Sequence, residues 1–311
     1  MRPRSLPTAC ATVTAISALL WVSPTIARQA PAPVAAAPVC SQVWVGHEKD
    51  IETFLTTGRI EKLESVPIGV TKPQRAVLES GGPAARFAWK ALPPARRGGF
   101  MESYKAEIAA YQLDRLLDMH MVPPVVERSI DGKVGAAVLW IEHTKGWDMK
   151  KPVHGPEPNW SKQISRMKLF DQLIGNIDRN QGNLLYDDDW HLFLIDHSRA
   201  FTARASLDGI AVPTTVDRTL WTRMDALTPE RVSAALGPWL GEDEQRALLT
   251  RRDRMRQAIA KLVKDKGAAQ VFLEVLKGID GEVTRESVTE ALHKMQPISN
   301  PLAGSPYVFG E

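Results

Sequence analysis

Three oxygen-bearing side chains fall within one short stretch of the chain. Asp178 and Asn183 belong to Gly175-Asn176-Ile177-Asp178-Arg179-Asn180-Gln181-Gly182-Asn183, and Asp196 to Ile195-Asp196-His197-Ser198-Arg199-Ala200-Phe201. Between them, Asn183–Tyr186 and His191–Asp196 read as short strands joined by the acidic turn Asp187-Asp188-Asp189. Antiparallel pairing would bring Asn183 and Asp196 close at the open end of that hairpin, with Asp178 just before it. An amide oxygen converging with a carboxylate suits a hard cation such as Mg²⁺, which takes one or two protein oxygens, keeps waters and bridges to phosphates. The remaining carboxylate, Asp178, is placed to accept a proton from a hydroxyl nucleophile.

Phosphoryl transfer needs a base, metal ligands and a cation on the nucleotide phosphates. Lys90 lies in Phe87-Ala88-Trp89-Lys90-Ala91-Leu92, where an inward-facing ammonium needs an acidic partner. Glu107, on the following helix with Tyr104 and Tyr111 at i−3 and i+4, is the natural one. A strand lysine held by a helix glutamate aims a point charge at phosphates.

These groups must be positioned by a strand-rich first part and a helix-rich second part. Gly69-Val70-Thr71, Arg75–Leu78 and Arg86–Leu92 read as strands separated by Lys72-Pro73 and Gly81-Gly82-Pro83, and Pro93-Pro94 ends the third. Ala95–Gly99 reads as a loop into a helix over Glu102–Met119, whose stripe Ala109, Leu113, Leu116, Leu117 and His120 keeps helical spacing. Asp131-Gly132 predicts a hairpin turn between Val125–Ile130 and Lys133–Ile141. Ile164, Met167, Phe170, Leu173, Ile174 and Ile177 predict a helix that delivers Asp178, and Pro229–Leu236 and Glu242–Val263 two more. The run Arg251-Arg252-Asp253-Arg254-Met255-Arg256 reads as a solvated helix face.

The amino end reads as an address. Arg2 and Arg4 precede an apolar run from Leu6 to Val22, and Thr25-Ile26-Ala27 supplies the small residues of a cleavage site, so residues 1–27 are expected to be a signal peptide. The Ala- and Pro-rich residues 28–42 are expected to be an extended tether, with the folded part beginning near Val43. No later stretch is apolar for long enough to span a bilayer, and a secreted or periplasmic location is expected. Among 311 residues the charge is +3, too small an excess to support nucleic-acid binding. Two cysteines, Cys10 and Cys40, build neither a disulfide framework nor a cysteine-based zinc site.

Asp178-Arg179-x-x-x-Asn183 with Ile195-Asp196 resembles the catalytic loop and metal motif of the atypical kinases, among them the phosphatidylinositol 3-/4-kinase-like and HipA-like branches. Glu107–Leu117, Val122-Pro123-Pro124-Val125 and Leu173–Arg179 resemble the secretory-pathway branch, that of the Golgi casein kinase and four-jointed. The resemblance, over roughly Ile68 to Phe201, implies an α+β, two-lobed kinase-like fold: a strand-rich N-lobe over 43–142 and a mainly helical C-lobe over 143–311. It implies Lys90 and Glu107 as the ion pair, Asp178 as base, and Asn183 and Asp196 as ligands of Mg²⁺ or Mn²⁺. Leu139-Trp140-Ile141-Glu142 would be the hinge that meets the adenine of ATP, and the acceptor a hydroxyl on a protein, glycan or small molecule. No glycine-rich phosphate loop is evident; Lys72-Pro73-Gln74-Arg75 or Glu79-Ser80-Gly81-Gly82 would have to serve. A nucleotide-binding pseudokinase and a nucleotidyl transferase remain as alternative readings.

Overall fold

Ile51, Phe54 and Leu55 stand at helical spacing between polar residues, and in the computed structural model they lie on one side of α1 (Glu48–Thr57), with Ile51 and Leu55 buried. The structure describes residues 41–66, 73–147, 153–210 and 213–273. The expected leader, residues 28–40 of the tether, and the expected strand Gly69-Val70-Thr71 lie outside them. Cys40–Glu311 forms a unit of its own, and everything below belongs to it.

After α1 come β1 (Ile60–Ser65), β2 (Gln74–Leu78) and β3 (Arg86–Lys90). β1 and β2 pair with a register shift between Ile60 and Lys62, a bulge that breaks any strict alternation in β1. In β3 the alternation is clean. Phe87 and Trp89 join the core beneath α1, while Ala88 belongs to the core on the opposite face, the side to which Lys90 also points. The loop expected at Ala95–Gly99 is instead part of a small hairpin, β4 (Ala95–Arg97) and β5 (Phe100–Glu102), turning at Gly98-Gly99. Helix α2 (Tyr104–Leu117) follows, with the Ser103 hydroxyl accepting from the Lys105 N–H at its start.

Strands β6 (Val125–Ile130) and β7 (Lys133–Leu139) form the expected hairpin. Its turn residues, Asp131 and Gly132, have φ of 50° and 74°, the left-handed pair that a two-residue type I′ turn requires. The five strands order as β1-β2-β3-β7-β6. At Gly135, β7 runs so near the end of β3 that a Cβ there would lie 2.5 Å from the Lys90 carbonyl oxygen.

The remaining strands are short. β8 (Lys145–Gly146) precedes α3 (Asn159–Ile174), after which β9 (Leu184–Tyr186) and β10 (Leu192–Leu194) join it in a sheet ordered β10-β9-β8. Asp187 is buried in the turn between β9 and β10 and accepts from the His191 N–H at 2.8 Å, so one member of the acidic triplet closes the hairpin. The chain ends, as described, in β11 (Val216–Asp217), α4 (Arg218–Asp225), α5 (Pro229–Leu236), α6 (Glu242–Lys266), α7 (Ala268–Val271) and β12 (Phe272–Leu273).

The arginine-rich run of α6 is not wholly a solvated face. Arg251 and Met255 continue the buried stripe of Leu248 and Ile259. The Arg251 guanidinium donates to the carbonyls of Leu173 (2.8 Å), Thr202 (3.1 Å) and Arg204 (2.6 Å). Burial lowers its pKa to about 10, since the surrounding oxygens are main-chain ones. This arginine fastens the end of α3 to the segment that follows Asp196. No helix among the described residues is long and apolar enough to cross a membrane.

Candidate active site

β3 puts Lys90 on the face opposite Phe87 and Trp89, and α2 presents Glu107 to the same space. Lys90 Nζ lies 2.6 Å from Glu107 Oε1 and 3.1 Å from Asp196 Oδ1, all three groups buried. A buried ammonium costs several kcal/mol without partners; here two carboxylates from distant parts of the chain supply them. Burial would raise the Glu107 pKa, but the Lys90 charge and the contact with His197 outweigh it and hold the carboxyl well below its ordinary range.

Asp178 is delivered by α3. Gly175 closes the helix in a left-handed conformation, φ 66°, turning the chain out of the helix axis. Asn176 then fixes the loop: its Nδ2 donates to Asp171 Oδ1 (2.9 Å) and its Oδ1 accepts the Asp178 N–H (3.0 Å). Burial raises the Asp178 pKa, Arg199 lowers it, and the neighbouring charge of Asp196 raises it again, leaving the carboxyl above its ordinary value. Its Oδ1 lies 3.2 Å from Arg199 Nη1.

Asn183 does not itself open a strand: it closes a 3₁₀ turn, Gln181–Asn183, immediately before β9. Its carbonyl accepts the Ile195 N–H at 3.1 Å, so the two ends of the hairpin meet as the sequence expected. The side chain is oriented by Nδ2, which donates to the Asp178 carbonyl at 3.1 Å. Its Oδ1 is buried and accepts no hydrogen bond. An amide oxygen left unsatisfied in a buried place costs free energy unless a ligand meets it, and a hard cation is such a ligand. Asp196, two residues beyond β10, has φ 58° and accepts from Ser198 Oγ at 3.1 Å as well as from Lys90. Asn183 and Asp196 therefore fit a divalent metal.

Several supporting residues hold these groups in place. Arg179 ion-pairs with Asp171 (Nε to Oδ2, 3.0 Å) and donates through Nη1 to the carbonyls of Asn183 and Ile195, both at 2.9 Å. Its Nη2 donates to His197 Nε2 at 2.9 Å, which assigns the ring proton to Nδ1. Burial pushes the His197 pKa below its ordinary value, so the ring is neutral, and its backbone N–H donates to Glu107 Oε2 at 3.0 Å. Arg199 in turn is held by Glu102 from β5, which no spacing rule would pair with it.

A cleft opens beside Lys90 and Asp196. Ala88, Val138, Leu139, Ile141, Leu185 and Ile195 give it apolar walls, and Trp140 lines it too. Of the four expected hinge residues, Leu139, Trp140 and Ile141 line the cleft and Glu142 does not: its carboxylate is taken by an ion pair with Arg86. The register Gln74↔Trp89 and Val77↔Arg86 also separates the two candidate phosphate segments. Pro73, Gln74 and Arg75 stand at the Lys90 end of β3, while Glu79–Gly82 stands at the Arg86 end, where the Phe54 ring fills the space above Gly82.

No protein-family model matches the sequence, and none of the curated proteins does. Solved structures do. The crystal structure of the Golgi casein kinase with Mn/ADP bound superposes with a TM-score of 0.56 at 15% identity, over 73% of this chain and 78% of that one. The structure of hydra Fam20 with sugar gives a TM-score of 0.54 at 18% identity, over 72% of this chain and 91% of that one. At such identities the likeness is one of fold: the chain has the α+β atypical-kinase fold of the Golgi casein kinase and Fam20 type.

Proposed function

We propose that the protein is an exported, ATP-dependent phosphotransferase acting on a hydroxyl acceptor, whether on a protein, a glycan or a small molecule. The observation that carries this reading is the placement of Lys90 Nζ between Glu107 and Asp196, with Lys90 and Asp196 lining an apolar cleft. In that reading the cleft takes the adenine against Leu139, Trp140 and Ile141, and Lys90 meets the nucleotide phosphates. Asn183 and Asp196 would hold Mg²⁺ or Mn²⁺, which when bound neutralises charge on the transferring phosphoryl group. Asp178 accepts the proton of the acceptor hydroxyl, a role that a carboxyl with a raised pKa performs better than one fully committed to its anion. Export rests on the leader-like residues 1–27.

A second reading, nucleotide binding without transfer, draws on the ion pair that Asp178 makes with Arg199. The two part in one experiment. The mature protein is incubated with γ-labelled ATP, Mn²⁺ and candidate acceptors, beside Asp178→Ala. Transfer abolished by the substitution supports the enzyme. Transfer that survives it removes Asp178 as base, and a thermal shift with Mn²⁺ and ATP but no label on any acceptor favours the second reading. Mass spectrometry of the product separates phosphoryl from nucleotidyl transfer by the mass added.

A further inference from the structure

Among the links that join the elements around α2 to the loops of the site are two side-chain bridges. The first runs through Lys90. The second begins at Glu102, the last residue of β5, and has a gradient of burial along it: the Glu102 side chain is 5% exposed, Arg199 14% and Asp178 29%. Arg199 Nε and Nη2 both donate to Glu102 Oε1, at 2.9 and 2.8 Å, and the guanidinium carbon lies 4.6 Å from the centre of the Phe100 ring. Its remaining nitrogen, Nη1, reaches Asp178 Oδ1 at 3.2 Å. A main-chain bond runs alongside, from the Ser103 N–H to the Ser198 carbonyl at 2.9 Å.

We propose that Arg199 is a positioning residue, which fixes the orientation of the Asp178 carboxylate by anchoring it to the β4–β5 hairpin. The anchored end of the arginine is rigid, because two donors and a ring face meet it at once; the planar fork spends its third nitrogen on one carboxylate oxygen. That leaves Asp178 Oδ2 for the acceptor. The hairpin thereby becomes part of the reaction centre without lining the cleft. This inference rests on the phosphotransferase reading above, in which Asp178 is the base.

The test uses the mature full chain with dephosphorylated casein as acceptor, and compares Arg199→Ala, Arg199→Lys, Glu102→Gln and, as a control on an exposed residue of the same hairpin, Arg96→Ala. A misplaced catalytic group costs about a hundredfold in rate. Arg199→Ala is therefore expected to lower kcat by about ten- to a hundredfold with KM for ATP within about twofold, Arg199→Lys to recover part of that, and Arg96→Ala to match the parent. An unchanged kcat, or one that rises because a lock has been removed, overturns the proposal. A readout independent of turnover accompanies it: hydrogen exchange of amides 95–103. Asp178→Asn is expected to speed exchange in the hairpin, since the bridge links the two, whereas a merely structural Arg199–Glu102 pair would not respond to it. If casein takes no label from the parent protein, the function reading is in question, yet the bridge still stands or falls on that exchange: no response to Asp178→Asn or Arg199→Ala overturns it.

Discussion

Arg179 and Asn183 are joined by a 2.9 Å hydrogen bond from the guanidinium Nη1 to the main-chain carbonyl, and the same nitrogen donates to Ile195 at 2.9 Å. One side chain thus closes the hairpin whose ends present Asn183 and Asp196, while its other nitrogens bind Asp171 and His197. The arginine supports the site without lining the cleft.

Removing that arginine should unfold more than it inactivates. Arg179→Ala leaves the Asp171 carboxylate buried with only Asn176 to meet it, and breaking a buried pair in this way costs about 3–5 kcal/mol. Arg179→Lys keeps the charge but not the fork and should recover less than half. Urea denaturation measures both; a loss under about 1 kcal/mol would mean the pair behaves as a solvent-exposed one.

Asn183→Ala should leave the fold nearly intact, since it removes one hydrogen bond worth about 1 kcal/mol. It also removes the buried Oδ1 that accepts nothing within the protein. The rise in melting temperature that Mn²⁺ adds on top of ATP alone should therefore disappear. If that metal-dependent increment is unchanged, the amide is not a ligand.

Ala88 faces Val138 across the β3–β7 ladder and lines the cleft. Ala88→Phe would fill the slot at an overpacking cost of about 1–3 kcal/mol. Nucleotide should then no longer raise the melting temperature, although the protein remains folded. A nucleotide shift that persists would place the base elsewhere.

Asp114 offers a pH signature away from the site. Its carboxyl is fully buried at the end of α2, and burial raises its pKa to about 6 against the pull of hydrogen bonds from the Met121, Val122 and His120 N–H groups. Unfolded, the group titrates near 3.9, so between the two values the native state holds the proton more tightly. Its contribution to stability is complete below about pH 4 and is lost as pH rises through about 6. The stability of the parent relative to Asp114→Asn should fall by about 2–3 kcal/mol between pH 4 and pH 7. A difference that grows over that range would show that the three donors outweigh the burial.

What could be read ahead of the structure was periodicity and spacing. The run Arg86–Leu92 announces a strand, Asp131-Gly132 announces the turn between β6 and β7, and the order Lys90, Glu107, Asp178, Asn183, Asp196 announces a candidate site. What escaped depends on partners far apart in the chain. Nothing local tells Glu142 to choose Arg86, Arg199 to choose Glu102, or Arg251 to turn inward from a run of arginines toward main-chain carbonyls. β1 escaped because its bulge breaks the alternation, and the β4–β5 hairpin because its strands are only three residues each.

The close approach of β7 to the end of β3 gives Gly135 reach beyond its own strand. A methyl group there has nowhere to go: it would meet the Lys90 carbonyl oxygen at 2.5 Å and the Ala91 Cα at 2.9 Å. Both contacts are main-chain, so the whole strand must shift to admit it, carrying the ammonium away from its two acids. Gly135→Ala is in that sense a remote-control variant, one that loosens the Lys90 ion pairs from the back of the sheet while every polar participant keeps its chemical identity.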